Sequence, residues 1–225
     1  KVQSALLEAM QERKMTIGKE TFKLPAPFLV IATQNPVEQS GTFELPEAQL
    51  DRFMLCHRLD YPQPEEEREV LKRNLALGVR REERGAVART EFDVLDSGPV
   101  GTVDDLVAAM EAVHQVHVSD TFVEHVVEVV KRTRHHPRIE LGCSPRAGIA
   151  LTKAARARAL IHGRDYVVPD DLYALADDVM LHRMRLNYEA LAEGMTPDHL
   201  IRRIMQHIAV PAKPLESHVK VAAGS

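Results

Sequence analysis

Three side chains stand where phosphate chemistry could use them: Asn35, Arg52 and Arg146. Asn35 follows the apolar run Phe28-Leu29-Val30-Ile31-Ala32 by three residues, and ligands of an open parallel sheet bind beyond the carboxyl ends of its strands. Its amide both donates and accepts, which suits holding a water in line with a phosphate. Asn-Pro after a strand is also a common turn former. Arg52 closes a short segment opened by Pro46. Its planar fork could stabilise charge developing on a neighbouring subunit's phosphate, or simply pair with a nearby carboxylate. Arg146 lies in the first turn of a helix opened by Ser144-Pro145, where free amides and the helix dipole favour an anion. Lys153 falls seven residues later on nearly the same face. A solvent-facing arginine on a basic helix fits that local sequence as well.

The elements that must position these groups follow from periodicity and punctuation. Val2 to Glu12 reads as a helix with no capping residue before it, so the chain is expected to begin inside a domain. Met15 to Phe22 alternates about Gly18-Lys19, a Gly-first pair that suits a type II′ hairpin. The run from Phe28 to Ala32 reads as a strand buried on both faces in a parallel sheet. A short helix is expected from Pro46 through Arg52, then a strand from Phe53 to Leu59. Glu65 to Leu77 is predicted helical and stopped by Gly78, and residues 79–101 carry no clear pattern. Thr102 with Asp105 approximates a capping box. Further helices are expected from Ser119, Ser144-Pro145, Pro169 and Thr196-Pro197. Val168 precedes Pro169 where a Ser or Thr cap is expected, at a cost of about 1 kcal/mol. The expected organisation is an α/β part over 1–60, a linker helix and connector over 61–101, an all-helical domain over 102–210, and a tail over 211–225.

At 225 residues with 44% apolar and 28% charged side chains, the chain has globular composition and can bury a core. It has no apolar run long enough to span a membrane, and without a charged-then-apolar start a secretion leader is not expected. Cys56 and Cys143 stand far apart, which supports neither a disulfide framework nor a cysteine zinc site. A reducing compartment, the cytoplasm, is expected. The net charge of −4 hides an asymmetry: residues 91–130 hold nine acidic and no basic side chains, whereas 131–164 hold nine basic ones against Glu140. That basic stretch either pairs with its acidic flanks or meets an external anion.

The order strand-end Asn, helix-end Arg, then Arg opening a helix of a separate helical domain resembles the MoxR family of AAA+ ATPases. The similarity rests on Leu6 to Glu12, Ala32-Thr33-Gln34-Asn35-Pro36, the run Leu45-Pro46-Glu47-Ala48-Gln49-Leu50-Asp51-Arg52-Phe53, and Gly142-Cys143-Ser144-Pro145-Arg146-Ala147. The resemblance implies an α/β AAA+ core fragment with a parallel sheet of the P-loop NTPase type, followed by an all-α lid. It makes Asn35 the sensor 1 position, Arg52 the arginine finger and Arg146 sensor 2, with cis or trans action of Arg146 left open. Asn35 and Arg146 would contact nucleotide. The implied cofactors are ATP and Mg2+, and the implied assembly is a homo-oligomeric, hexameric ring. Chaperone-like remodelling or maturation of protein clients follows, among them von Willebrand A domain proteins.

The only Gly-Lys pair, Gly18-Lys19, is followed by Glu20 and lacks the glycines of a phosphate-cradling loop. No apolar strand ending in Asp-Glu supplies a magnesium ligand. The expectation is that the N-terminal half of the ATPase core lies outside this sequence and that the chain alone is inactive. His135-His136 have no carboxylate or cysteine at ligand spacing except the distant Cys143, and His114 and His117, three apart on a helix, could meet one ion but more often flank a helix face, so no metal site is expected. An alternative reading is a nucleic-acid-binding or adaptor module using 131–164. Against it, no Phe, Tyr or Trp lies between residues 123 and 165 to stack bases.

Overall fold

The computed structural model describes residues 9–10, 12–34, 45–83, 85–94 and 98–210. The chain forms two compact units, Lys1–Cys56 with Val107–Ser225, and His57–Leu106.

The larger unit is built on four helices: α4 (Asp120–His135), α5 (Pro145–Ile161), α6 (Pro169–Met180) and α8 (Pro197–Gln206). Along α4, Phe122, Val126, Val129, Val130 and Thr133 recur at helical spacing and are all buried. The valines favour strand in isolation, so packing overrides local propensity here. Ser119 caps this helix by accepting the Phe122 N–H at 3.2 Å. The inner face of α5 is mostly alanine, with Ala147, Ala150, Ala154, Ala155 and Ala159 around the fully buried Leu151. Small side chains let α5 lie close to α4 and α6. Leu172, Ala176, Val179 and Met180 of α6 complete the core with Leu200, Ile201 and Ile204 of α8. Each fully buried leucine contributes about 2 kcal/mol of transfer energy.

The absence of a Ser or Thr cap at Val168 is compensated. Asp171 reaches back to accept the Val168 N–H at 3.0 Å and holds Arg164 through both carboxylate oxygens at 2.6 and 2.8 Å. Two small elements went unanticipated: the ladder of β5 (Ile139–Leu141) with β6 (Arg185–Leu186), and α7 (Tyr188–Ala192).

The hairpin β1 (Lys14–Ile17) and β2 (Glu20–Lys23) is antiparallel, pairing Met15 with Phe22 and Ile17 with Glu20. Gly18 takes a φ of 66°, the left-handed value that the first central position of its turn needs. Helix α1 (Glu47–Leu50) follows Pro46 as expected.

Two strand expectations are corrected. Phe28 to Ala32 forms no strand; it runs without a ladder partner among the described residues, leaving Leu29 79% and Ile31 82% exposed. Apolar composition marks the segment as one to be covered, but a strand exists only with a neighbour to share its hydrogen bonds. All sheets among the described residues are two-stranded and antiparallel, so the parallel sheet is not seen. Phe53 to Leu59 is not a strand either. Its backbone groups are taken elsewhere: Phe53 O and Met54 O accept from Arg183, and Cys56 N–H donates to Asp178 O at 2.8 Å.

In the smaller unit, α2 (Pro64–Leu75) starts with Glu66 accepting the Gln63 N–H at 2.9 Å. The stretch read as patternless holds a second hairpin, β3 (Val79–Glu82) with β4 (Gly85–Ala88). Charges in Val79-Arg80-Arg81-Glu82 hide the alternation that marks a strand. Helix α3 (Val103–Gln115) starts at the Thr102 and Asp105 box, where Asp105 accepts the Thr102 N–H at 2.8 Å and Thr102 Oγ1 accepts the Asp105 N–H at 3.1 Å.

Candidate functional site

The loop that leads into α5, the helix of Arg146, is held against α4 by a close backbone approach. A Cβ on Gly142 would fall 2.7 Å from the backbone of Thr133 and Arg134, so only glycine fits. The next residue is fixed from three sides. Its N–H donates to Thr133 Oγ1 at 2.9 Å, its carbonyl accepts Arg134 Nε at 2.7 Å, and its thiol faces Met180 O. Burial pushes that Cys143 thiol up to about 11, which makes it inert as a nucleophile. Ser144 then caps α5, accepting the Arg146 N–H at 3.2 Å.

From the other side comes the segment after α1. Asp51 accepts the Ser144 hydroxyl at 3.0 Å, Arg183 Nε at 3.0 Å and, more loosely, Arg146 Nη1 at 3.5 Å. Arg183 is the central clamp. Its side chain is 2% exposed, and it also donates to the carbonyls of Asp51 at 3.1 Å, Phe53 at 2.6 Å, Met54 at 3.3 Å, and Val179. Beside it, His182 Nε2 meets Phe53 O at 3.1 Å. A carbonyl only accepts, so Nε2 carries the proton, and the buried Nδ1 has no partner. Burial, with the Arg183 charge, holds this imidazole below its ordinary value.

These contacts bring Arg52 and Arg146 together. Both line a cavity of about 280 Å³ that also takes in Lys153 and Arg183, so four cations face it against one carboxylate, Asp51. Met10, Met54 and Ile149 supply apolar wall. The carboxylate is already engaged by Arg183 and Ser144. Arg52 has no ion pair among the described residues; its Nε donates to Ala48 O at 3.3 Å, and its Nη1 is buried with no hydrogen-bond partner. A buried guanidinium donor without an acceptor is costly, so Arg52 Nη1 presents an open hydrogen-bond position to this cavity among the described residues. Among the described residues, no carboxylate pairs with Arg52. Asn35 lies outside the described residues. Asp51 and Arg183 were not singled out from sequence. Asp51 adjoins Arg52 and was legible as a partner, whereas Arg183, in Leu181-His182-Arg183-Met184, has no local signature.

Residues 1–55 match the family described as "ATPase family associated with various cellular activities (AAA)", and residues 131–204 match the AAA lid domain. The chain is 41% identical over 230 residues to Chaperone MoxR1 of Mycobacterium tuberculosis, covering 97% of this chain and 57% of that protein. It belongs to the MoxR family of AAA+ ATPases. The uncharacterized protein YeaC of Bacillus subtilis is 44% identical over 213 residues, with 95% of this chain and 62% of YeaC covered. A crystal structure of a putative ATPase from Cytophaga hutchinsonii superposes with a TM-score of 0.78 at 36% identity, over 93% of this chain and 62% of that one. The chain therefore spans about 57 to 62% of the length of these relatives. In MoxR terms, the cavity joins the two matched regions: Asp51 and Arg52 come from the AAA match, and Arg146, Lys153 and Arg183 from the lid match.

Proposed function

We propose that this chain supplies the trans-acting part of a MoxR-type ATPase, with Arg52 as arginine finger and Arg146 as sensor 2 on the same triphosphate. The supporting observation is their shared cavity, in which Arg52 lacks any carboxylate partner among the described residues. An arginine finger acts on nucleotide held by the adjacent subunit. Arg146, lining the same cavity, would read that same nucleotide and so also act in trans. Lys153 adds a third cation for phosphate oxygens. Asn35 is proposed as sensor 1, orienting the attacking water.

The donor set fits phosphate and not a metal ion. Cations dominate the cavity, Asp51 is spent on Arg183, and no group of His, Cys, Asp and Glu among the described residues is placed to hold a metal. Mg2+ and the phosphate-gripping loop are accordingly proposed to act from outside this stretch, where Mg2+ would neutralise phosphate charge. What these residues do is bind and orient phosphate oxygens and stabilise the charge developing on them. The proposed assembly is a ring, hexameric by family analogy, whose ATP turnover drives chaperone-like remodelling of protein clients, von Willebrand A domain proteins among them.

The test is complementation in the full-length protein. Arg52→Ala should cut ATPase by about 10³-fold. Mixing it with subunits that lack their own phosphate loop but retain Arg52 should restore part of the rate. Full activity of Arg52→Ala would overturn the assignment. The nucleic-acid reading is weakened because the basic stretch is largely engaged internally: Arg132 pairs with Glu128, Arg138 with Glu189 and Glu193, and Arg134 binds Cys143 O.

A further inference from the structure

A second cavity, of about 550 Å³, lies in the lid away from Arg52 and Arg146. One wall is a single face of α8, with Leu200, Arg203 and Ile204 at helical spacing and His207 at its C-cap. The opposite wall is the end of α4 and the turn after it, with Arg132, His136 and Arg138. The floor is apolar, since Leu200 and Ile204 are core residues and Met195 is half-buried beside them. The volume is that of an ordinary ligand pocket, about 300–1,000 Å³.

The rim is one-signed. Three arginines and three histidines line the cavity, and no carboxylate does. Arg138 and Arg132 already hold carboxylates on their outer sides, Glu189 with Glu193 and Glu128, at 2.7 to 3.0 Å. Arg203 has no ion pair among the described residues. His136 Nδ1 accepts the Arg138 N–H at 3.1 Å, which leaves Nε2 as its proton-bearing donor. An apolar floor beside the uncommitted Arg203 guanidinium and the His136 Nε2–H donor, with no carboxylate lining it, is complementary to one apolar side chain flanked by carboxylates. Nucleic acid fits poorly, because no Phe, Tyr or Trp lines the cavity to stack a base. The chain's own residues 211–225 fit poorly by charge, with Lys213 and Lys220 against Glu216.

We infer that this lid cavity is a docking site for an acidic segment of a partner protein, anchored by one apolar side chain between Arg203 and the 136–138 turn. The inference uses lid residues only and stands independently of the ATPase assignment.

The experiment is fluorescence anisotropy on the full-length protein. The probe is a fluorescein-labelled peptide of Asp and Glu around a central Leu-Phe pair. Saturable binding is expected, weakened about tenfold or more by Arg203→Glu, an exposed position whose change leaves the core intact, which circular dichroism checks. Replacing Leu-Phe by Ser-Ser should weaken it about as much, and a Lys-for-acid peptide should not bind. The inference is overturned by any of four results: Arg203→Glu binds the peptide as well as the parent; the Ser-Ser peptide binds equally; oligothymidylate binds more tightly and loses affinity in Arg203→Glu; or the protein self-associates in sedimentation and Arg203→Glu abolishes it.

Discussion

Asp51 and Arg183 illustrate how one residue's chemistry depends on another's. Arg183 is almost wholly removed from solvent, and Asp51 is its single carboxylate partner among the described residues. Removing one member of a buried pair leaves the other charge uncompensated, at about 3–5 kcal/mol. Asp51→Asn is therefore expected to destabilise the protein by about 3 kcal/mol in urea titrations and, on the function proposed above, to lower the ATPase of the full-length protein by displacing Arg52. Arg183→Lys should not rescue this, because one ammonium cannot reach four carbonyls and a carboxylate. The cysteines differ as sharply. Cys143, with its thiol near 11, should resist a thiol reagent at pH 8 in the native state, while exposed Cys56 reacts. Two equally fast thiols would contradict the buried loop geometry.

At the level of elements, helices with a start signal were legible. Ser119, Ser144-Pro145 and Thr102 with Asp105 each open the helix their spacing predicts. Strands were less so, for two physical reasons. Phe28 to Ala32 has the apolarity of a central strand, but sequence carries no information on which neighbour completes the ladder. Phe53 onward has the composition of a strand, yet its carbonyls are captured by Arg183, about 130 positions away in sequence. Arg52 and Arg146 could be picked out individually; that they share a pocket rests on the Asp51, Ser144 and Arg183 contacts, which no local pattern encodes. Gly142 belongs to this scale too. Gly142→Ala should force the loop before Ser144 away from α4, since the added carbon meets backbone at 2.7 Å. A loss of about 1–3 kcal/mol in chemical denaturation is expected and, on the proposed role of Arg146, a weakened nucleotide response as that side chain shifts.

For the whole molecule, buried His125 and half-buried His136 and His182 contribute to the response to acid. His125 and His182 are held below the ordinary imidazole value chiefly by burial, as is His136, helped by Arg203 and Arg138. A depressed histidine stays neutral in the folded state while the unfolded chain takes up a proton below about pH 6.5, so stability is full above that pH and declines as pH falls through it. Asp171 adds a second loss at lower pH. Burial alone would raise its carboxyl, but the Arg164 and Val168 hydrogen bonds and the Arg164 and Arg158 charges outweigh it and leave it depressed. Its contribution is present above the ordinary carboxyl value and lost as pH falls through the folded one. Thermal melting should show a Tm that declines from pH 7 to 5.5 and again below about pH 4. A Tm unchanged across the first interval would contradict neutral buried histidines.

The Arg183 clamp has a mechanical corollary. Because its guanidinium grips the peptide carbonyls of Asp51, Phe53 and Met54 while its own turn closes α6, the segment that carries Arg52 is geared to the helical lid as one lever. In the ring proposed above, a subunit that swung this lid would carry Arg52 with it, and the nucleotide of the next member would feel that change of posture at once.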